Sequence, residues 1–350
     1  MSMSIRRGKA AAIAATLLAV LTGCATTTAE TTTPSSPAES SETETVVEET
    51  VAKINFGYIT DFNGTSLLAI AKELGIWEKY NIDANYFTFT NGPLQIQAMG
   101  TGDLDFGYIG PGAFWLPASG AAKHISVNTV GNSDRVIVRA DSGITSIEQL
   151  RGKEVAYPAG TSGEQILTLA LEAAGMTLDD ITPVIMDPST LVAAFSSGQI
   201  EAAGIWYPNV DVIKQSVEIV ELAGNADFQD KVAFPNSFVA SNLIVDSDPD
   251  VVSRVQAALK EANDYRYNNM EATIELVAKQ LGLDVEVVTK DAANAKYLST
   301  AELEEITRDG TVIKWLDALN TAFVAAGRFD AIPDASTTFL IDSYLAATVR

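Results

Sequence analysis

Short apolar segments alternate with amphipathic segments along the chain from about residue 53 onward. The alternation predicts strands at 54–58, 84–89 and 105–109, with helices at 66–74 and 94–99 between them. Strands that alternate with helices are typical of βαβ units. This part of the chain therefore predicts a mostly parallel sheet flanked by helices.

The same pattern starts again near residue 136. It predicts strands at 136–139, 155–157, 184–186 and 202–205, with helices at 147–150, 164–174 and 191–196 between them. After a strand predicted at 243–245 the pattern is helical, with helices at 251–263, 270–281 and 312–326. Because a single core rarely exceeds roughly 250–300 residues, two runs of this pattern predict two α/β lobes with a ligand cleft between them.

Two segments about one hundred residues apart repeat the same order of features. Residues 95–114 read QIQAMGTGDLDFGYIGPGAF, and residues 192–210 read VAAFSSGQIEAAGIWYPNV. Each predicts a helix, a glycine stop, an acidic or amide residue and a strand that runs into a loop. We interpret them as equivalent units of the two lobes. The alternative is that any helix–glycine–strand unit gives this pattern.

The N-terminal segment has the composition of a targeting sequence. Arg6, Arg7 and Lys9 precede an apolar stretch at 10–21, which is too short to span a bilayer and suits a secretory signal. The segment ends in Leu-Thr-Gly-Cys at 21–24, which resembles the lipobox of bacterial lipoproteins. This resemblance implies a signal peptide at 1–23 and a lipid on Cys24. The alternative is an ordinary signal peptide with a chance cysteine.

Residues 24–52 predict a disordered acidic tether, because they are rich in Thr, Ser, Pro, Ala and Glu and have no apolar periodicity before Val46. The formal net charge is −22, which argues against nucleic acid as a partner and favours a monomer. Cys24 is the only cysteine. The folded body therefore has no disulfide, cysteine nucleophile or thiolate metal site, and no cofactor or metal is predicted.

Several short motifs in the body carry a family resemblance. They are GYITD at 57–61, LGIW at 74–77, GDLDFG at 102–107, LRGKEVA at 150–156, GQIEA at 198–202, WYP at 206–208 and YLS at 297–299. In this order and spacing they resemble the periplasmic substrate-binding proteins of nitrate, sulfonate and taurine ABC importers, a family that includes thiamine-pyrimidine binders.

The resemblance implies a two-lobed type II fold in which the chain crosses twice between lobes. Carried onto this sequence, the first lobe is 53–138 plus 241–350, and the second is 139–240. It also implies a small-molecule ligand, ABC permease and ATPase subunits as partners, and a place in the periplasm or on the outer face of the cell membrane. Two such lobes would close on the ligand about a hinge.

The first candidate binding residues follow the first predicted strand. Thr60, Asp61, Phe62 and Asn63 match the family's first binding loop, and the Asp61 carboxylate would pair with an ammonium or amidinium group of the ligand. The alternative for Asp61 is an N-cap of the next helix.

A second loop, Gly110, Pro111 and Gly112, stands where sulfonate binders place a Gly-Ser-Ser turn. Its missing hydroxyls argue against simple sulfonate capture, and its glycines would leave space for a bulkier or flatter ligand.

The remaining candidates lie in the second lobe and near its end. Gly160, Thr161 and Ser162 precede a predicted helix and would bind an oxyanion at its N-terminus, or else cap that helix. Trp206 matches a family tryptophan that forms a wall of the ligand site, and Tyr207 follows it. For both aromatic residues the alternative is structural burial.

Asn236 and Ser237 would supply amide and hydroxyl contacts. Taurine binders place an aspartate in this stretch, but no acidic residue occurs between Lys231 and Val245. Asp61 would therefore have to replace it.

The residues favour a binding protein over an enzyme. His124 is the only histidine, and it is expected to be a partly exposed structural residue. No G-x-S-x-G motif is present. The expected ligand is a small organic solute of the taurine or sulfonate type, or alternatively a planar nitrogenous or aromatic solute such as a thiamine-pyrimidine precursor. Two other classes are a sensory lipoprotein and an enzyme resembling thiamine-pyrimidine synthase, which the lack of body cysteines disfavours.

Overall fold

The computed structural model describes residues 50–350. The predicted signal peptide, Cys24 and nearly all of the predicted tether lie outside the described residues. The first part of the fold runs through β1 (Ala52–Ile59), α1 (Phe62–Glu73), α2 (Ile76–Lys79), β2 (Ile82–Phe89), α3 (Gly92–Thr101), β3 (Phe106–Ile109), α4 (Trp115–Ala118) and β4 (Lys123–Gly131).

The middle part repeats this alternation of strands and helices. It contains β5 (Asp134–Arg139), β6 (Glu154–Tyr157), α5 (Ser162–Ala173), β7 (Thr182–Ile185), α6 (Pro188–Ser196), β8 (Ala202–Trp206), α7 (Asn209–Lys214) and β9 (Ile219–Gly224).

The last part is mainly helical. It contains β10 (Pro235–Ala240), α8 (Asn242–Ser247), α9 (Pro249–Asn268), α10 (Met270–Leu281), α11 (Val285–Ala292), β11 (Ala295–Lys296), α12 (Thr300–Arg308), α13 (Thr311–Ala325) and α14 (Ile341–Ala346).

The strands form two open sheets. The first sheet has the order β11-β4-β10-β3-β1-β2, and the second sheet has the order β7-β6-β8-β5-β9. The two-lobed α/β class expected from the sequence is confirmed. Each sheet is mixed rather than mostly parallel, because β10 and β5 arrive from the other sheet and pair antiparallel with both neighbours. The expected parallel pairs are β1 with β2 and β3, and β6 with β7 and β8.

The internal repeat occupies equivalent places in the two sheets. In the first sheet β3 lies between β1 and β10, and in the second sheet β8 lies between β6 and β5. The helix before each strand stops at a glycine with positive φ, 80° at Gly102 and 79° at Gly198. A residue with a Cβ rarely adopts this left-handed conformation. The backbone conformation at the end of each helix therefore explains the glycine.

The chain passes from the first sheet to the second at residues 132–133 and returns at 225–234. The predicted lobes change later, after 138 and after 240. β5 pairs within the second sheet and β10 pairs within the first. The chain therefore changes sheet before residue 138 and again before residue 240. The division into lobes stays a prediction, with these two segments as its observed connections.

Several local predictions are wrong. The strands β4, β9 and β10 were not predicted, and the strand predicted at 243–245 is part of α8. The Ser241 hydroxyl accepts a hydrogen bond from the backbone N–H of Ile244 at 3.2 Å, and this N-cap starts a helix in an otherwise strand-like apolar run.

His124 is not partly exposed. It lies in β4 with 1% of its surface exposed, and its Nδ1 is 3.0 Å from the Ser237 hydroxyl. Burial lowers the pKa of His124 to about 3. The rings of Phe114 and Phe339 lie beside it, with centroids 4.4 and 6.4 Å away.

Aromatic residues form much of the core of the first sheet. The ring of Phe56 on β1 lies 5.7 Å from those of Phe106 on β3 and Phe238 on β10. Apolar residues of α1 and α9 cover this group. Within residues 50–350, no helix combines the length and apolar character that crossing a bilayer requires.

Candidate ligand-binding cleft

Three helices begin where strands end, and their N-termini meet in a cleft between the two sheets. Asp61 caps α1 after β1, Asn91 caps α3 after β2, and Thr161 caps α5 after β6. Each side-chain oxygen accepts a hydrogen bond from a backbone N–H of its own helix, at 2.6, 3.1 and 3.2 Å respectively. Helix N-termini attract anions, and here side chains of the protein already bond some of their N–H groups.

The cleft has a narrow inner part and a wider outer part. The inner chamber has a volume of about 30 Å³, and the outer cleft has a volume of about 280 Å³. Of the predicted residues, the inner chamber is lined by Asp61, Asn63, Gly110, Thr161, Ser162, Trp206, Tyr207 and Asn236. Thr60 lines the outer cleft, and Asp61 and Trp206 line both parts.

Asp61 is the carboxylate shared by the two parts of the cleft. Only 8% of its surface is exposed. Burial raises the pKa of Asp61 well above its usual value, the carboxylates of Asp291 and Asp134 raise it further, and the N–H of Gly64 lowers it. The predicted alternative, an N-cap, describes one oxygen of this side chain. The N–H of Asp61 itself also bonds this carboxylate, and no side chain of residues 50–350 donates to it.

A second carboxylate occupies the start of α1. Asp291 on α11 accepts a hydrogen bond from the backbone N–H of Phe62 at 2.7 Å. Burial raises the pKa of Asp291 to about 6; the bond from Phe62 lowers it, and Asp211 on α7 raises it. The N-terminus of α1 therefore holds two carboxylates of the protein itself, in the place where an oxyanion ligand would otherwise bind.

A third carboxylate lies behind the chamber, at the first connection between the sheets. Asp134 is 3% exposed, and its Oδ2 accepts a hydrogen bond from Nδ2 of Asn225 at 2.8 Å. Burial raises the pKa of Asp134, while the Ser162 hydroxyl, the Asn225 amide and the Arg135 guanidinium lower it. Oδ1 of Asp134 is buried and accepts no well-formed hydrogen bond from residues 50–350, although the Ser162 hydroxyl is near.

A buried arginine supports the chamber from the other side. Arg266 on α9 donates to the Ser66 hydroxyl and to Oδ1 of Asn128, at 3.0 and 2.9 Å. Asn128 in turn donates to the backbone carbonyl of Asn63 at 2.7 Å. The Tyr297 hydroxyl lies 3.3 Å from Oδ1 of Asn63, and burial lowers the pKa of Arg266 to about 10. This network holds Asn63 in the chamber lining.

The glycine-rich loop after β3 packs against the start of α5. A Cβ on Gly112 would lie 2.1 Å from the backbone nitrogen of Ser162 and 2.1 Å from the carbonyl carbon of Thr161. The expectation that both glycines leave space for a bulky ligand is wrong for Gly112, because backbone of the second-sheet side fills that space. Gly110 does line the chamber.

The predicted oxyanion loop is largely bonded within the protein. The Thr161 hydroxyl donates to the carbonyl of Pro158 at 2.6 Å and caps α5. The N–H of Gly160 donates to Glu164 at 2.5 Å, and its carbonyl accepts from Nε1 of Trp115 at 3.3 Å. These contacts favour a capping role for Thr161. Thr161 and Ser162 both line the chamber, and the Ser162 hydroxyl lies 3.9 Å from the position of a Cβ on Gly110.

The two aromatic residues after β8 differ in their surroundings. Trp206 is 6% exposed and contributes to both parts of the cleft. The Tyr207 hydroxyl donates to Glu221 at 2.6 Å, and the ammonium of Lys214 lies over its ring, 4.9 Å from the centroid. Tyr207 is therefore anchored on the second-sheet side. Trp206 remains the side chain suited to contact a ligand in either part.

Five predicted residues do not line either part of the cleft. Phe62 is fully buried, and its ring packs 5.8 Å from that of Tyr297. The Ser237 hydroxyl is bonded to the Ser126 carbonyl at 2.9 Å. Pro111 and Gly112 belong to the loop that contacts α5. Gly160 forms its backbone hydrogen bonds with Glu164 and Trp115.

Other residues of the lining were not predicted. In the inner chamber they are Ile59, Asn91, Gly92, Tyr108, Ala113 and Ser133. In the outer cleft they are Ile59 again, with Thr88, Phe89, Thr90, Pro188, Ser189, Pro208 and Asn209. Asn91 carried a signal, because asparagine two positions before a proline marks a helix start. Ser133 and Asp134 had none, because they follow a strand that the hydrophobic pattern does not predict.

Side chains also bridge the cleft at one edge. Arg328, which follows α13, donates to both carboxylate oxygens of Glu164 on α5 at 2.6 Å. Its guanidinium lies 5.0 Å from the centroid of the Trp115 ring, and Trp115 contacts Gly160 as described above. These residues connect α4 and the segment after α13 with α5 of the second-sheet side.

Two mixed α/β sheets, joined by two short connections and facing a common cleft, define the periplasmic-binding-protein fold. A solved structure with this fold is the alkanesulfonate-binding protein SsuA from Xanthomonas axonopodis pv. citri bound to MOPS. Its TM-score is 0.69 at 23% identity, and the match covers 83% of this chain and 99% of that one. The fold is also similar to that of a desulfurization enzyme, DszB, with a TM-score of 0.61 at 14% identity and coverage of 84% and 98%.

The chain belongs to the NMT1/THI5-like family, whose model matches residues 63–273. A protein of Brucella abortus (strain 2308), named only as a binding protein, is 49% identical over 294 residues, which is 84% of this chain and 92% of that protein. A protein of Escherichia coli (strain K12), named for binding aliphatic sulfonates, is 26% identical over 64% of this chain and 71% of that protein. The family resemblance expected from the sequence is confirmed.

Proposed function

We propose that this chain is the lipid-anchored solute-binding component of an ABC importer, which captures a small organic solute of the taurine or sulfonate type outside the cytoplasm. The observation that carries the proposal is the inner chamber, where the N-termini of α1, α3 and α5 meet between the two sheets. Ligand sites in open α/β sheets lie at such strand ends. Membership in the NMT1/THI5-like family supports the same function.

The relatives support the class of function more than the ligand. Those with a ligand in their names bind sulfonates or taurine, and the latter is a periplasmic protein. An importer component would deliver its ligand to permease and ATPase subunits, which are the proposed partners. A lipid on Cys24 would hold the chain at the outer face of the membrane.

A planar nitrogenous solute is the second candidate ligand. Asp61 and Trp206 both line the inner and outer parts of the cleft. A carboxylate beside an indole ring suits an amidinium or aminopyrimidine group, because the carboxylate pairs with its N–H donors and the ring stacks on its plane.

An enzymatic role has less support. His124 is fully buried beside Ser237, and its surroundings lower its pKa to about 3. It is therefore not placed to transfer a proton in the cleft. A sensory lipoprotein would bind the same solutes, but transport of the ligand would not depend on it.

The experiment is a thermal-shift screen of the purified chain against sulfonates, amines, pyrimidines, purines and aromatic acids, followed by calorimetry on each compound that raises Tm. We expect at least one compound to bind, and Trp206→Ala to weaken it because the wall of both parts of the cleft is lost. Binding that is unchanged in Trp206→Ala would place the site elsewhere. If no compound of any class binds, the proposed function is wrong.

A further inference from the structure

We infer that the inner chamber is a site for a protonated primary amine, which is held between the Asp61 carboxylate and the oxygens of Ser162 and Asn236. The inference rests on the proposed function and names the class of solute. A sulfonate or nitrate without an amine would not satisfy this site.

The chamber presents acceptors to which no side chain of residues 50–350 donates. Oδ1 of Asp61 accepts from the N–H of Gly64 at 2.6 Å, and the other hydrogen bond to this carboxylate comes from the N–H of Asp61 itself. Nδ2 of Asn236 donates to the Thr129 hydroxyl at 2.9 Å, which directs the amide oxygen to the other side. That oxygen and the Ser162 hydroxyl lie 3.5 and 3.9 Å from the position of a Cβ on Gly110, which also lines the chamber.

Asp134 provides the second, independent observation. Only 3% of its surface is exposed, and no described residue forms a good hydrogen bond to its Oδ1. The Ser162 hydroxyl lies close enough to lower the pKa of Asp134. If Ser162 donates its proton toward Asp134, its lone pairs are free to accept an N–H from the chamber. In that arrangement Asp134 would make Ser162 an acceptor for the ligand.

The negative charge of Asp61 is not balanced by a positive side chain in the described lining of the cleft. Among the described residues that line the inner chamber and the outer cleft, there is a carboxylate at Asp61 and no lysine, arginine or histidine. Arg266 is the buried cation behind this layer, and it is bonded to Ser66, Asn128 and Asn263 rather than to a carboxylate. A buried carboxylate without a cation is costly, so a cationic ligand would remove that cost on binding.

The volume selects a small head group. A buried water needs a cavity volume of roughly 10–15 Å³. A chamber of about 30 Å³ therefore holds about two groups of the size of water. A primary ammonium has nearly the size of a water molecule and offers three N–H donors. A quaternary ammonium is larger and offers none. The rest of the solute would extend into the outer cleft, where Trp206 continues the lining.

The first test compares amines with their hydroxyl analogues by calorimetry on the purified full chain. The pairs are taurine with isethionate, and β-alanine with 3-hydroxypropionate, so that only the ammonium differs within a pair. We expect at least one amine to bind, and its hydroxyl analogue to bind at least about tenfold more weakly. Equal affinity within the pairs would overturn the inference.

The second test uses Asp61→Asn, which keeps an acceptor for the N–H of Gly64. Its affinity for the bound amine should fall about ten- to a hundredfold, while any weak binding of the hydroxyl analogue should stay unchanged. Asp83→Asn, on the exposed side of β2, removes the same charge outside the cleft and should bind as the parent chain does. Asp134→Asn should weaken the amine as well, and it gives a second measurement if Asp61→Asn folds poorly.

The outcomes separate this inference from the proposed function. If isethionate or another compound without an amine binds and no amine does, the inference is wrong and the binding function stands. If Asp61 is only a helix cap, Asp61→Asn will change the affinity for the amine and for its hydroxyl analogue by the same factor, or will change neither. That result also overturns the inference. If nothing binds in either test or in the wider screen, both proposals are wrong.

Discussion

Asp134 and Asn225 are joined by two buried hydrogen bonds. The backbone N–H of Asp134 donates to Oδ1 of Asn225 at 2.7 Å, and Nδ2 of Asn225 donates to Oδ2 of Asp134 at 2.8 Å. Asp134 starts the strand after the first connection between the sheets, and Asn225 starts the second connection. The pair therefore ties the two connections together directly behind Ser133 and Ser162 of the inner chamber.

The first prediction concerns this pair. Asn225→Ala leaves an N–H and a carboxylate oxygen of Asp134 without partners, so the free energy of unfolding should fall by about 2–3 kcal/mol. Urea denaturation measures the change. As a control, Asn242→Ala removes an exposed amide bond to the Gly120 carbonyl and should cost about 0.5–1 kcal/mol. Equal losses in the two variants would contradict the proposed importance of the buried pair.

The second prediction concerns the contact of Gly112 with α5. Gly112→Ala places a Cβ 2.1 Å from the backbone of Thr161 and Ser162, so the two sides of the cleft would have to separate. The affinity for the ligand should fall at least about tenfold, because the closed state becomes rarer. Small-angle scattering should show a larger radius of gyration.

Gly100→Ala is the matched control for Gly112→Ala. Gly100 lies in α3, and a Cβ there meets no atom within 4 Å. This variant should leave affinity unchanged and raise stability by up to about 1 kcal/mol, as expected for Gly to Ala in a helix. If both glycine variants bind as the parent chain does, the Gly112 contact does not control closure.

The third prediction concerns the bridge between Arg328 and Glu164. Arg328→Ala removes an ion pair whose side chains are 29% and 14% exposed, together with the cover over the Trp115 ring. We expect the dissociation constant to rise about three- to tenfold through a smaller closed population. Arg308→Ala, which removes an exposed arginine 3.7 Å from Glu304, should have no effect. Stability lowered with unchanged affinity would indicate a bridge that serves only the fold.

The fourth prediction is a pH dependence. Burial and the charge of Asp211 raise the pKa of Asp291 to about 6, from an ordinary value of 3.8. A carboxyl that holds its proton more tightly in the folded state stabilises the fold fully below its ordinary pKa, and this contribution is lost as pH rises through about 6. The titratable groups around it among the described residues are Asp61, Tyr108, Asp211 and Tyr297.

Asp291→Asn keeps an acceptor for the N–H of Phe62 and removes the charge. Its Tm should therefore exceed that of the parent chain above about pH 7, by the equivalent of about 3 kcal/mol, and the gain should disappear near pH 4. Thermal unfolding from pH 4 to 8 without ligand checks this. Asp83→Asn on the surface should show no such trend. A constant gain at all pH values would assign the effect to packing.

The fifth prediction concerns Cys24, which lies outside the described residues. Cys24→Ala removes the proposed site of lipidation, so the chain should leave the membrane fraction or stay unprocessed. Fractionation and mass spectrometry of the purified chain measure both effects. Unchanged membrane association and mass would mean that Cys24 carries no lipid.

Asp61 shows how far local pattern reaches into the site. A strand, an aspartate and an apolar helical segment in succession predicted both a strand-end loop and a cap, and both are present. Asn236 shows the limit. It lies on β10, a strand whose residues are all buried, but the sequence PNSFVA has the polar composition of a loop. Thr129 and His124, more than one hundred residues away, provide the partners that let Asn236 and Ser237 be buried.

The sequence by itself determined the alternation of strands and helices, the internal repeat and the strand-end position of Asp61, because these depend on neighbours within one element. It also determined the family through short motifs spread over the body. Only the tertiary structure decided that Asp134 and Asp291 lie near enough to act on Asp61, since Asp61 caps α1, Asp134 lies in β5 and Asp291 lies in α11. The pKa values of these residues and the shape of the chamber follow from this arrangement, because burial and charge act through space rather than along the chain.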